Sequence, residues 1–166
     1  MTDRVEPLGD HDVEGFRCGN EALDEWLSRH ARTATGQGTR TYVLVDGAAR
    51  IVGYFALAPH LLERAEAPRR SGRGAPQQIP AVLLAKLAVD SSVQGQGVGA
   101  DLLVFALGVV VEAARKVGGR IIVVDAIDDD AQRFYEHHDF QPLPGNPQRL
   151  VMKLSTAARA LGLSWP

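Results

Sequence analysis

The chain has 166 residues, of which 45% are hydrophobic and 23% charged, enough for one well-buried core and unlike a disordered or fibrous composition. No apolar stretch reaches bilayer length, and the start Met1-Thr2-Asp3-Arg4 lacks a signal peptide's apolar region, so one soluble cytoplasmic domain over residues 1–166 is expected. The formal net charge of −2 excludes a whole-molecule basic footprint but not local ones, and a single cysteine, Cys18, cannot close an internal disulfide and has no metal-ligand partners at useful spacing.

In chain order, Leu23, Trp26, Leu27, His30 and Ala31 recur at three- and four-residue spacing behind Gly19-Asn20-Glu21. That period predicts an amphipathic helix with Asn20 as its N-cap. Residues 41–45 and 51–57 are rich in β-branched and aromatic side chains and flank a turn segment with Asp46-Gly47, which predicts an antiparallel hairpin. Residues 62–78 carry prolines, glycines and arginines and read as an exposed connection. Residues 81–90 are apolar apart from Lys86 and the closing Asp90, the pattern of a central strand buried on both faces. A helix over 98–116, apolar nearly all round, should pack deep and stop at Gly118-Gly119. Residues 120–126 form a further strand. Asp128, Asp129 and Asp130 then open a helix over 131–138, where negative charge complements the dipole. Residues 140–143 and 149–154 pair around Pro144-Gly145-Asn146-Pro147. This order predicts a mixed α/β layered domain without internal repeats.

Basic residues gather in three places: Arg29, Arg32 and Arg40; Arg64, Arg69, Arg70 and Arg73; and Arg149 with Lys153. Such clusters are usually solvated faces. More specific is the strand-to-helix junction Gln94-Gly95-Gln96-Gly97-Val98-Gly99. A helix N-terminus offers unpartnered N–H groups and the positive end of the dipole, and glycines before it let a phosphate approach those amides. The Gly-Lys-Ser/Thr ending of a P-loop is absent, and the spacing is not that of the dinucleotide-binding glycines.

Gln94, Gly97 and Gly99 stand at the defining positions of Gln/Arg-x-x-Gly-x-Gly/Ala. The segment thereby resembles the acetyl-coenzyme A signature of the Gcn5-related N-acetyltransferase (GNAT) family. A second segment, Ala131-Gln132-Arg133-Phe134-Tyr135-Glu136-His137-His138-Asp139-Phe140, resembles that family's Ala-x-x-Phe-Tyr-x-x-x-Gly-Phe motif, with Asp139 in place of the usual glycine. A left-handed backbone there would accept aspartate at some cost. A third, Phe16-Arg17-Cys18-Gly19-Asn20-Glu21-Ala22-Leu23-Asp24-Glu25-Trp26-Leu27, followed by Arg40-Thr41-Tyr42-Val43 and Gly53-Tyr54-Phe55-Ala56-Leu57, is similar to the acetyltransferase toxins of bacterial toxin–antitoxin pairs.

The resemblance implies a single-domain α/β GNAT fold, a mixed twisted sheet of about six to seven strands flanked by helices, with splayed central strands taking acetyl-CoA. It implies that the amides of Gly95, Gln96, Gly97, Val98 and Gly99 and the side chain of Gln94 hold the pyrophosphate, while the backbone of Leu87, Ala88 and Val89 pairs with the pantetheine like an added strand. Tyr135 would protonate the departing thiolate. The implied acceptor is the α-amine of aminoacyl-tRNA, with Arg29, Arg32, Arg40, Arg69, Arg70 and Arg73 as phosphate contacts. A ribbon-helix-helix antitoxin and a second copy of the chain are the implied protein partners, and no metal is called for. An aminoacyl ester's amine has a low pKa and can lose its proton to water, so no carboxylate base is demanded. Asp90 and Asp125 are candidates by position, as are His60, His137 and His138 for proton carriage. Two other functions stay open: acetylation of a protein lysine, an N-terminus or a small amine, and a coenzyme A-binding regulatory module without turnover, which would not need the phenol.

Overall fold

Seven strands and six helices form among residues 3–166, which the structure, a computed structural model, describes. The strands follow the hydrogen-bonded order β1-β2-β3-β4-β5-β7-β6. By internal contacts the chain divides into two compact units, with β3 (Ile51–Glu63), β4 (Gln78–Val89) and α4 (Val98–Val117) each contributing to both.

The first unit holds the chain up to Ala58 together with Ala85–Ala106. Its sheet begins with β1 (Arg4–Pro7), an edge strand paired antiparallel with β2 (Arg40–Val45), which in turn pairs antiparallel with β3. The predicted hairpin is therefore present. The predicted amphipathic helix starts where expected, because the Asn20 side chain accepts the Leu23 N–H at 3.0 Å. It is not one regular helix, however. A π-helical turn at Trp26–His30 separates α1 (Glu21–Glu25) from α2 (Ala31–Thr35), the Ala31 N–H reaching back to the Trp26 carbonyl. Tyr54, wholly buried, anchors this layer to the sheet: its hydroxyl donates to the Leu23 carbonyl at 2.7 Å. Its ring stacks on Trp26 and meets Phe16 edge-on, within a core that includes Val13, Leu27, Val43 and Ile51.

The second unit holds Pro59–Leu84 and Leu107–Pro166. Here β4 pairs parallel with β5 (Ile121–Asp125) over Ala81–Leu84, the crossover between them being α4. Antiparallel β7 (Asn146–Lys153) lies beside β5, and β6 (Gln141–Leu143) closes the edge. Ile79, Ile121, Val123 and Val151 form the core with Leu62 and Leu143. The predicted helix after the three aspartates is α5 (Asp129–His137), capped by the Asp128 carboxylate accepting from Ala131 N at 2.8 Å.

Four expectations need correction. The segment 62–78 is not a bare exposed connection: β3 runs on to Glu63, Leu62 and Ala75 are buried, and a short helix α3 (Arg69–Gly72) buries Ser71. The Arg64 guanidinium holds this segment by donating to the Ala75 carbonyl at 2.9 Å. Strand β4 is not buried on both faces, since Ile79, Ala81, Leu84 and Ala88 are inside while Leu87 and Val89 are only half-buried. Helix α4 is not apolar-packed all round, with Val104 and Phe105 half exposed. Finally, β1 and α6 (Leu154–Ala160) add to the expected element order, the first too polar and the second too short to show a period in the sequence.

Candidate active site

In the first unit β4 ends at Val89, Ser91–Val93 make one 3-10 turn, and residues 94–97 lead into α4 at Val98. Gly95 and Gly97 take the left-handed backbone, at φ 78° and 81°, and a Cβ on either would meet nothing within 4 Å. Glycine is required there by the backbone, and the space it leaves is open. Gly99 lies in the first turn of α4, and residues 94–97 are exposed. An open turn, left-handed glycines and the N-terminus of a 20-residue helix fit a pyrophosphate. The β4 ladder to β5 has its last pair at Leu84↔Val124, and β4 itself continues through Leu87, Ala88 and Val89.

Two residues of this region behave differently from expectation. The Gln94 side chain does not reach outward with its amide nitrogen: Nε2 donates to the Cys18 carbonyl at 2.7 Å and the Val89 carbonyl at 2.8 Å. Asp90 is not placed as a base. Its Oδ1 accepts from Arg17 N at 2.9 Å, and its Oδ2 from Ser92 N at 3.1 Å and Ser92 Oγ at 2.6 Å. Burial pushes its carboxyl up, but these hydrogen bonds and the Arg50 charge outweigh that and hold it below the ordinary carboxylate value. The Cys18 thiol is pushed up to about 11 by burial and by Asp24, so it stays protonated at neutral pH. A polar cleft of about 550 Å³ in this unit is lined by Glu14, Arg17, Asp24, Glu25, Ser28 and Arg29, among others.

In the second unit Tyr135 lies on the inner face of α5, 6% exposed, with its ring edge-on to Phe134 and Phe140. Burial pushes its phenol well above the ordinary value, so it keeps its proton throughout the neutral range. The helix ends as the motif requires: Asp139 adopts φ 69°, and the Tyr135 carbonyl accepts from Phe140 N at 3.0 Å. Aspartate thus takes the glycine's left-handed role directly.

A constellation in this unit escapes sequence reasoning. Arg149 grips Asp125 with Nε to Oδ1 at 2.7 Å and Nη2 to Oδ2 at 2.8 Å, while its Nη1 lies 3.1 Å from His60 Nε2. Asp125 is therefore half of a bidentate pair rather than an available base. A guanidinium only donates, so His60 accepts through Nε2 and carries its proton on Nδ1. Desolvation and the Arg149 charge both lower the His60 pKa. His138 is lowered in the same way, by burial and by His137. Opposite charges at residues 125 and 149 are visible in the sequence, but the register that sets them face to face is not.

The arginines divide between the units. Arg29 is exposed and paired with Glu25. Arg32 and Arg40 donate to their own backbone, Arg32 to the Gly9 and His11 carbonyls and Arg40 to those of Thr35 and Thr39. Arg69, Arg70 and Arg73 are exposed around α3, the Arg73 carbonyl accepting from Arg120. Among the described residues no cluster of three potential His, Cys, Asp or Glu metal ligands exists, and no helix is long and apolar enough to cross a membrane.

Comparison with known proteins gives a consistent picture. Residues 37–142 match the model of the acetyltransferase (GNAT) domain. The chain is 40% identical over 153 residues to a tRNA-acetylating toxin of Mycobacterium tuberculosis, covering 91% of each chain. Among solved structures it is similar to AtaT complexed with acetyl-methionyl-tRNAfMet, at TM-score 0.88 and 32% identity, covering 96% of this chain and 99% of that one. It is also similar to a tyrosine-to-phenylalanine mutant of AtaT bound to the C-terminus of the antitoxin AtaR and acetyl-CoA, at TM-score 0.83 and 32% identity, covering 96% and 98%.

Proposed function

The chain belongs to the GNAT acetyltransferase family, and from that premise we propose that it acetylates the α-amine of aminoacyl-tRNA as the translation-blocking toxin of a toxin–antitoxin pair. The observation that carries this is the identity of 40% to a tRNA-acetylating toxin over nine-tenths of both chains. Acting on charged tRNA, it works in the cytoplasm as one N-acetyltransferase domain. A ribbon-helix-helix antitoxin and a second copy of the chain are the protein partners that go with it.

When bound, acetyl-CoA supplies a thioester whose carbonyl carbon the amine attacks, with a thiolate leaving. The backbone amides of Gly95, Gln96, Gly97, Val98 and Gly99 hold the pyrophosphate, aided by the α4 dipole. The backbone of Leu87, Ala88 and Val89 pairs with the pantetheine. Tyr135 holds its proton at neutral pH and gives it to the leaving sulfur, and the proton that the attacking nitrogen sheds as the amide forms restores the phenol. With Asp90 and Asp125 both committed to hydrogen bonds, the ammonium of the acceptor loses its proton to water. Arg69, Arg70 and Arg73, with Arg29, Arg32 and Arg40, contact tRNA phosphates.

A cell-free translation reaction tests this. Added protein should halt synthesis when acetyl-CoA is present and leave it running when acetyl-CoA is removed. Inhibition independent of acetyl-CoA, or none at all, would refute the toxin reading.

A further inference from the structure

The turn at 94–97 has a problem that its own sequence does not solve. Two of its four residues are glycines, which restrain the backbone least, so a free turn would lose much conformational freedom on binding a phosphate. We propose that Asp90 and Gln94 are positioning residues that lock this turn to residues 16–20, so that affinity for acetyl-CoA depends on a segment more than seventy residues away in sequence.

Six hydrogen bonds make the lock. Arg17 N donates to Asp90 Oδ1 at 2.9 Å, and the Arg17 carbonyl accepts from Ser91 N at 2.7 Å. Ser92 donates twice to Asp90 Oδ2, through N at 3.1 Å and Oγ at 2.6 Å. Gln94 Nε2 then donates both of its protons, to the Cys18 carbonyl at 2.7 Å and the Val89 carbonyl at 2.8 Å. One side-chain amide thus ties the first residue of the turn to the end of β4 and to the distant segment at once.

The segment at the other end is itself fixed. Cys18 N donates to Asp24 Oδ1 at 2.8 Å, and Asn20 caps α1. Phe16 is buried against the edge of Tyr54, whose hydroxyl holds the Leu23 carbonyl. The turn is therefore moored to a packed layer of the first unit, which supplies the order that glycine withholds. The donor count also explains the residue type. Both acceptors are carbonyls, so position 94 needs at least two N–H groups on a long side chain, a condition that Gln and Arg meet and Glu does not.

The lock deepens the acetyl-CoA reading and rests on it. The test measures acetyl-CoA affinity by calorimetry, together with KM and kcat, for the wild-type chain and for Gln94→Met, Gln94→Arg and Asp90→Asn, with circular dichroism to confirm folding. Gln94→Met keeps length and removes both donors, leaving two carbonyls short of partners; it should weaken acetyl-CoA binding about tenfold or more and raise KM with kcat at saturation little changed. Gln94→Arg restores donors and should recover most of that affinity. Wild-type affinity in Gln94→Met, or no recovery in Gln94→Arg, would overturn the lock while leaving the acetyl-CoA site intact. If Gln94→Met does not fold, Asp90→Asn carries the test, since it keeps Oδ1 and loses the acceptor facing Ser92; weakened binding supports the lock and unchanged binding overturns it. A wild-type chain that does not bind acetyl-CoA at all would overturn the family-based site and the lock together.

Discussion

Tyr135 is a buried phenol on a helix with aromatic neighbours, and packing alone would account for its burial. What separates a catalytic role from a packing role is the hydroxyl, which Phe lacks at nearly the same volume. Tyr135→Phe should fold, bind acetyl-CoA as wild type does, and lose about 10²-fold or more in turnover, as deletion of a general acid does. Steady-state kinetics beside calorimetry checks this, and wild-type turnover would assign thiolate protonation to another group. Asp90 gives a second residue-scale outcome. Its folded pKa lies below the unfolded value, so its hydrogen bonds contribute stability that is present above the unfolded value and lost as pH falls through the folded one. The stability difference between wild type and Asp90→Asn, followed by denaturant unfolding, should therefore be full at neutral pH and close below about pH 4; a gap that persists in acid would contradict it. The placement of Tyr135 on the helix over 131–138 and the left-handed turn at Asp139 are legible in this sequence. The roles of Arg149 and Gln94 are not, because they depend on a cross-strand register and on a carbonyl far away in sequence.

At the scale of elements, the turn proposed to hold the pyrophosphate depends on backbone that glycine adopts with least strain. Gly97→Val would place a β-branched side chain at φ 81° and fill the open space before α4. Acetyl-CoA affinity should fall about tenfold or more, a loss of about 1.4 kcal/mol or greater, and calorimetry showing no change would remove the pyrophosphate from this turn. Elements with strong caps and periods are readable from sequence: α5 behind Asp128, the β2–β3 hairpin, and α4 with its stop at two glycines. The π-helical turn at Trp26–His30 is not, since it leaves the apolar spacing of Leu23, Leu27 and Ala31 intact; it lies beside Tyr54, whose hydroxyl donates to the Leu23 carbonyl. β1 is hidden because Arg4-Val5-Glu6-Pro7 is an edge strand, where charge and proline are expected and hydrophobic alternation is weak. The stretch 62–78 misleads for the opposite reason, its prolines and glycines masking a few buried anchors such as Leu62 and Ala75.

For the whole molecule, a net charge of −2 offers no overall attraction to tRNA, so the proposed tRNA surface rests on local arginines. Arg69, Arg70 and Arg73 are exposed around α3, whereas Arg32 and Arg40 spend donors on their own backbone. Replacing Arg69, Arg70 and Arg73 together with Gln should weaken tRNA binding and make the slope of log K against log salt shallower by about 0.9 for each phosphate that is no longer neutralised. Acetyl-CoA affinity should stay as it was. Filter binding across a salt series checks both, and an unchanged slope would move the tRNA surface elsewhere. The central claim, that the acceptor is the α-amine of a charged tRNA, is tested most directly by mass. Charged tRNAs are incubated with the protein and acetyl-CoA, and the aminoacyl ester is released and weighed. One acetyl group on the α-amine, formed about 10²-fold or more slowly when Tyr135→Phe replaces the wild type, is the predicted result; unmodified aminoacyl esters from every charged tRNA, with acetyl transferred instead to a protein or a small amine, would contradict it.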